Sequence, residues 1–305
     1  MTRSSLRFPR PVGAGLGVLL DRLVGEPPPR LHPVVLFGRV MGTTEEKIYQ
    51  DKRMAGAVHA LLGTALGAAA GALVRSTTAA TEIAVGGRAL LCAALDVGAA
   101  LAEGDEVRAR ALLPELVGRD PSGLDAAEIA RAAVESVAEN TVDAVVAPAL
   151  WAAWAGAPGA LAYRAVNTMD AMVGHRSPRY LHYGWASARV DDVANWVPAR
   201  CTAALVAVVR PGSAKEIGRA VSTQAPAHPS PNAGVAEAAF AAALGIRLGG
   251  ANRYGERTEV RPPLGWGRGP QAGDIARAVR LSRDVGTALA AVLGLAGAVQ
   301  WWRDR

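Results

Sequence analysis

The chain predicts an all-α fold: a polytopic membrane helical bundle with a broken or re-entrant central segment and cytoplasmic polar loops. Three observations predict it. Half of the 305 residues are hydrophobic but only 5% are aromatic, so the apolar content is mostly small and aliphatic. The mean hydropathy of +0.16 is high for a soluble chain and low for one that is wholly lipid-embedded. Uncharged runs of about 20 residues, enough to cross a hydrocarbon core of roughly 30 Å, alternate with polar stretches. A length of 305 residues allows one large core or two modest ones, and the chain reads as a single domain over 1–305. Its core motif region is 125–200, and a polar lobe occupies about 210–283.

The net charge is +6 and the positive charge is nearly all arginine, with Lys47, Lys52 and Lys215 the only lysines. Arginine suits bidentate binding of phosphate and carboxylate. The arginines are scattered among acids and form no basic stripe with interleaved aromatics, which argues against a nucleic-acid partner. Cys92 and Cys201 sit in apolar runs without CxxC spacing, so neither a disulfide framework nor a zinc site follows. Asp21 and Arg22 interrupt the first apolar stretch, which argues against a cleavable signal peptide.

A short apolar helix over 12–24 is followed by three prolines, which end it. His32 precedes Pro33 and is biased to extended backbone; it reads as a turn histidine with a satisfied ring or as a substrate contact. Residues 54–74 carry no formal charge and form the clearest span, bracketed by Arg53 and Arg75. The next apolar segment, 77–102, carries Glu82, Arg88 and Asp96 and completes a helical hairpin or a buried helix. The last span is 284–302, with Trp301 and Trp302 as an interfacial belt and Arg303 and Arg305 as a cytoplasmic anchor.

Ser122 and Asp125 resemble a capping box and open a helix over about 124–146. Glu128, Arg131, Glu135, Glu139 and Asp143 share one helical face about 120° wide, with Ile129, Ala133 and Val137 on an apolar stripe. Such a face is a solvated surface or a working site. Arg131 and Glu135 are an i,i+4 pair, and the helix runs straight into the uncharged segment 144–163. Pro148, Gly156, Pro158 and Gly159 break that segment. A re-entrant pair keeps the acids on both sides of it on one membrane face.

Beyond it, Asn167 and Asp170 lie one turn apart. Arg176, Ser177 and Arg179 follow in a loop fixed by Pro178. Asp191 and Asn195 are i,i+4 partners with Asp192 beside them. This carboxylate and amide set suits Mg²⁺, which takes few protein ligands plus substrate phosphates. It suits a structural network with Arg164 and Arg189 equally well. In the polar lobe a helix opens near Ala233, placing His228 and Asn232 at an N-terminus that favours anions.

The motifs together resemble the CobD/CbiB family of adenosylcobinamide-phosphate synthases. The residues that carry the resemblance are Leu20-Asp21 with Gly25-Glu26-Pro27 and His32-Pro33-Val34, Glu135-Ser136-Val137-Ala138-Glu139-Asn140-Thr141, and Asn167-Thr168-Met169-Asp170. They continue with Arg176-Ser177-Pro178-Arg179-Tyr180, Gly184-Trp185, Asp191-Asp192 with Asn195, and His228-Pro229-Ser230-Pro231-Asn232-Ala233-Gly234. Glu26 stands where the family's triplet has Asp, His175 replaces an aromatic, and Ala251 a proline.

The resemblance implies a multi-pass protein of the cell (inner) membrane with its active site facing the cytoplasm. It implies an amide-forming ligase that joins adenosylcobyric acid to an aminopropanol or its phosphate ester. ATP and Mg²⁺ are implied as co-substrate and metal; the chain has no GxxxxGK[ST], so the nucleotide site is not a P-loop. Other late cobalamin-assembly enzymes are admitted as partners. On this reading Glu135 or His228 is the base, Glu139, Asp191 and Asp192 bind the metal, and Arg176 and Arg179 anchor phosphate. Asn140, Asn167, Asp170, Asn195, Asn232 and His32 contact substrate. The competing class is a membrane transporter or corrinoid-binding scaffold, since intramembrane acids and broken helices also mark transport routes.

Overall fold

In the computed structural model, residues 8–25, 27, 30, 32–118, 120–254 and 257–305 are described. Twelve α-helices are found among them: α1 Arg10–Val24, α2 Pro33–Ile48, α3 Arg53–Val74, α4 Thr77–Ala84, α5 Gly87–Ala102, α6 Glu106–Leu112, α7 Ala126–Thr141, α8 Ala147–Met169, α9 Trp185–Val209, α10 Ala214–Thr223, α11 Ala233–Leu244 and α12 Ala272–Arg303. One antiparallel hairpin, β1 Leu248–Tyr254 and β2 Arg257–Leu264, interrupts the helical pattern. Five helical stretches are long and apolar enough to cross a membrane: Arg53–Val74, Thr77–Ala102, Ala126–Gly174, Trp185–Val209 and Ala272–Arg303. The polytopic all-α bundle expected from the sequence is therefore the architecture found.

The helices divide into two compact units. The first comprises Met1–Gly86, Ala147–Ala194 and Leu289–Arg305; the second comprises Gly87–Val146 and Asn195–Ala288.

The first unit is held by small residues. α3 packs on α8 and turns Gly63, Gly67 and Gly71 toward it. A Cβ on Gly67 would lie 2.6 Å from the Leu161 carbonyl, so only glycine lets the two backbones approach this closely. The opposite face of α3 exposes Val58, Leu61, Leu62, Leu66 and Leu73, the surface that a lipid environment covers. α8 breaks where the sequence marks it: Gly156 takes φ 69°, ψ −154°, outside any helical region, and Pro158 follows. Trp151, before the break, donates its indole N–H to the Ala194 carbonyl at 3.1 Å. With Tyr163, Val166 and Ala194 it forms a core that binds α9 to α8.

The second unit is built on α7, which packs against α5, α11 and the hairpin. Its start is sharper than expected. Asp125, not Ser122, is the N-cap, and Asp125 and Glu128 exchange reciprocal side-chain bonds of 2.8 and 3.0 Å. α7 passes through a π-turn, Val142–Val146, directly into α8. Inside the unit, Thr141 donates to Ser282 at 2.8 Å, tying α7 to α12.

Three further boundaries correct the sequence reading. The 77–102 segment is two helices interrupted at Val85 and Gly86. The last helix begins at Ala272, because Asp274 accepts the Gln271 N–H at 2.9 Å and so caps the helix start. The hairpin lies in the polar lobe, where no strand was expected.

Candidate functional site

The sequence-marked residues separate cleanly between the two units. His32, Asn167, Asp170, Arg176, Arg179, Asp191 and Asp192 belong to the first; Glu135, Glu139, Asn140, Asn195, His228 and Asn232 belong to the second.

In the first unit, the α8–α9 clamp puts Asp191 beside Asn167, whose side-chain amide donates to Asp191 Oδ1 at 3.4 Å. Asn167 Oδ1 in turn accepts from Arg164 Nη1 at 3.5 Å. Asp170 opens a π-turn, Asp170–Gly174, and Asp191, Asp192 and Asp170 are all half-buried. Arg176 is exposed in the loop that follows. His32 caps α2: its Nδ1 accepts the Val34 N–H at 3.2 Å, which realises the satisfied-ring reading for that nitrogen.

Arg179 reveals a partner that the sequence reading missed. Its Nη2 and Nε donate to Glu45 Oε1 at 2.9 and 3.3 Å, and Tyr180 Oη donates to the same oxygen at 2.9 Å. Its guanidinium also sits over the Tyr49 ring at 4.3 Å. The Tyr49 hydroxyl donates to the Arg179 carbonyl at 2.8 Å. Glu45 is 7% exposed, whereas the Arg179 side chain is 53% exposed. The carboxylate is thus a buried post and the arginine its outward-facing arm. Burial and hydrogen bonding to Glu45 push the Tyr180 phenol above its ordinary range, so it stays protonated and keeps donating. The signal for Glu45 lay in its place on the helix opened by the His32-Pro33 motif, four residues before Tyr49.

The second unit holds a closed ionic network. The acidic face of α7 is not a solvated surface at its centre: Glu135 is 3% exposed and Arg131 8%. They pair as expected at 3.2 Å. The hairpin completes both groups, with the Gly249 N–H donating to Glu135 Oε1 at 3.0 Å and Arg131 Nη2 donating to the Ala251 carbonyl at 2.8 Å. Glu139 and Asn140 are half-buried one turn on; Asn140 donates to the Ser136 carbonyl at 3.0 Å.

His228, before α11, is enclosed. Its Nδ1 lies 3.1 Å from the Ser230 N and 3.2 Å from the Ser230 carbonyl oxygen. Its Nε2 lies 3.8 Å from Glu237 Oε2 and makes no hydrogen bond among the described residues. Burial lowers its pKa below the ordinary histidine value, so the ring is neutral at pH 7. Glu237, fully buried on α11, was also missed; Arg261 of β2 donates to it at 3.4 Å and to Glu259 at 3.3 Å. It hides in sequence because one acid in GVAEAAFAAAL reads as an exposed position. Asn232 accepts from Arg200 at 3.0 Å, and Asn195 is buried on α9.

Among the described residues, no group of three or more His, Cys, Asp or Glu side chains is gathered as a metal ion needs. Asp191, Asp192 and Asn167 offer oxygen donors only. That fits Mg²⁺, which binds through one or two carboxylates plus substrate phosphates, and does not fit zinc.

The CobD/Cbib protein family matches residues 14–282. A "Cobalamin biosynthesis protein CobD" of Mycobacterium tuberculosis (strain CDC 1551 / Oshkosh) is 50% identical over 299 residues, covering 93% of this chain and 95% of the relative. One of the same name from Chromobacterium violaceum is 45% identical over 301 residues, covering 93% and 95%. That of Geobacter metallireducens is 42% identical over 267 residues, covering 81% and 84%. No solved structure matches. With a family match over most of its length and relatives of nearly equal extent, the chain belongs to the CobD/Cbib protein family.

Proposed function

We propose that this chain is the amide-forming ligase of cobalamin biosynthesis that joins adenosylcobyric acid to 1-amino-2-propanol phosphate, giving adenosylcobinamide phosphate at the cytoplasmic face of the cell membrane. The observation that carries the phosphorylated amine is Arg179. Glu45 takes the Nε side of its guanidinium, and the end-on edge of an exposed arm remains for an oxyanion. Arg176, exposed in the same loop, is the second cation for that phosphate.

Bound ATP with Mg²⁺ would supply a phosphoryl group that turns the corrinoid carboxylate into an acyl donor. Asp191 and Asp192 would hold the metal, and Asn167 would orient Asp191 through the bond that the structure contains. Glu139 is a further acid proposed for metal binding. The amine attacks the activated carbonyl carbon; the C–N bond forms, the C–O bond to phosphate breaks, and the amine loses a proton. His228 or Glu135 is the proposed base, and His228 is neutral at pH 7. Glu135 already accepts from Arg131 and from the Gly249 N–H. Asn140, Asp170, Asn195, Asn232 and His32 are proposed to shape the substrate contacts.

Purified protein given adenosylcobyric acid, 1-amino-2-propanol phosphate, ATP and Mg²⁺ should yield adenosylcobinamide phosphate, read by mass spectrometry, with one inorganic phosphate released per amide. Absence of that product from a folded, membrane-extracted preparation would overturn the proposal.

A further inference from the structure

We infer that Arg164 receives an oxyanion of the substrate, an inference that rests on the ligase reading above. Arg164 follows the uncharged 144–163 run on α8, within a helical stretch apolar enough to span a membrane. An ionisable side chain there is costly unless it is paired or used. Arg131, Arg179 and Arg261 each meet a carboxylate at 3.4 Å or less. Arg164 does not. Its guanidinium makes one long hydrogen bond, from Nη1 to Asn167 Oδ1 at 3.5 Å, and its Nε is buried with no hydrogen-bond partner among the described residues. The open edge is therefore the Nε side, the one that pairs side-on with carboxylates and phosphates.

The surroundings limit what arrives. Arg164 lines a cavity of about 80 Å³ together with Pro33, Val34, Phe37, Leu161 and Thr168. One water needs roughly 10–15 Å³ of such space, so the cavity has room for a carboxylate or phosphoryl group. Its walls are otherwise largely apolar, which strengthens a charge pair formed there. Pro33 and Val34 belong to the His32-Pro33-Val34 motif, which the fold brings to the Arg164–Thr168 turn of α8. The ligand class is an oxyanion, either the carboxylate of the corrinoid or the ester phosphate of the amine.

Isothermal titration of wild type, R164Q and R164K in detergent distinguishes the two sources. The probes are adenosylcobyric acid, 1-amino-2-propanol phosphate and unphosphorylated 1-amino-2-propanol. R164Q should weaken one oxyanion probe at least about tenfold, with R164K between it and wild type because lysine keeps the charge and loses the fork. A loss confined to the phosphorylated amine assigns the phosphate, and a loss confined to adenosylcobyric acid assigns the carboxylate. Should R164Q fail to fold, the R164K affinity decides by the same criterion. Equal affinities of the variants and wild type for both oxyanions, at equal yield and melting temperature, overturn the inference and leave the ligase reading standing. A wild-type protein that binds neither oxyanion overturns both.

Discussion

The two units carry ionic clusters of opposite character. In the second, Arg131, Glu135, His228 and Glu237 are each at least nine-tenths buried, and the hairpin contributes backbone and arginine partners. In the first, one buried acid, Glu45, supports an arginine whose side chain is about half exposed. A charge buried and paired within the fold holds elements together and is costly to disrupt. A charge held on one edge and open on the other is prepared for a ligand. Charge at a membrane-protein site thus does two jobs here, and burial distinguishes them.

The sharpest way to break this contrast is Glu237→Ala. It leaves Arg261 and His228 facing a cavity without their carboxylate, and removing one partner of a buried pair costs about 3–5 kcal/mol. Thermal unfolding in detergent should show a large drop in midpoint. A melting curve like that of wild type would mean that the network of the second unit does not hold the hairpin on α11.

Asp191→Asn and Glu139→Gln should do the reverse. Each keeps shape and removes a charge from a half-buried side chain, so stability should shift by about 1 kcal/mol or less. Turnover should fall at least about 10²-fold if a metal ligand is lost. Near-wild-type turnover in both, with normal membrane yield, would leave Glu139 on a solvated face and Asp191 in a structural network.

Arg179→Lys tests the open edge. Lysine loses the fork that Glu45 now orients, so KM for the phosphorylated amine should rise about tenfold with turnover at saturation nearly kept. Glu45→Gln should move KM in the same direction without touching the substrate. If Arg179→Lys lowered turnover and left KM alone, Arg179 would not be a ground-state phosphate anchor.

Much of this was legible in the sequence, for physical reasons. The break in α8 follows from Gly156 and Pro158, and the Arg131–Glu135 pair follows from helical spacing alone. What was not legible depended on contacts far apart in the chain. Glu45 meets Arg179 across 134 positions, and Gly249 meets Glu135 across 114. The hairpin was hidden because Gly249 and Gly250, both at positive φ, interrupt the alternation that marks a strand. Ser122 and Asp125 resemble a capping box with Asp in the place of Glu, which sets the expected cap three residues early. The structure favours Asp125, whose Glu128 partner reaches back to close the box.

The smallest predicted effect concerns pH, and it isolates one group of the closed cluster. Burial, with Arg261 nearby, lowers the His228 pKa below 6.5, while the Ser230 backbone, Glu135 and Glu259 oppose the shift without cancelling it. The unfolded chain therefore binds a proton at this position that the folded chain refuses, in the window below pH 6.5 and above the folded value. Stability linked to His228 is fully present above that window and is lost as pH falls through it, by at most about 1.4 kcal/mol per pH unit. Other groups titrate in the same range, so the quantity to measure is a difference: unfolding midpoints of wild type and His228→Gln from pH 7.5 down to 5. Wild type should lose stability more steeply below pH 6.5 than the variant, and the two curves should run parallel above it. A steeper acid loss in His228→Gln would mean that the folded protein holds the imidazolium, with Glu237 and Glu135 outweighing burial, and the proposed neutral base would have to be abandoned.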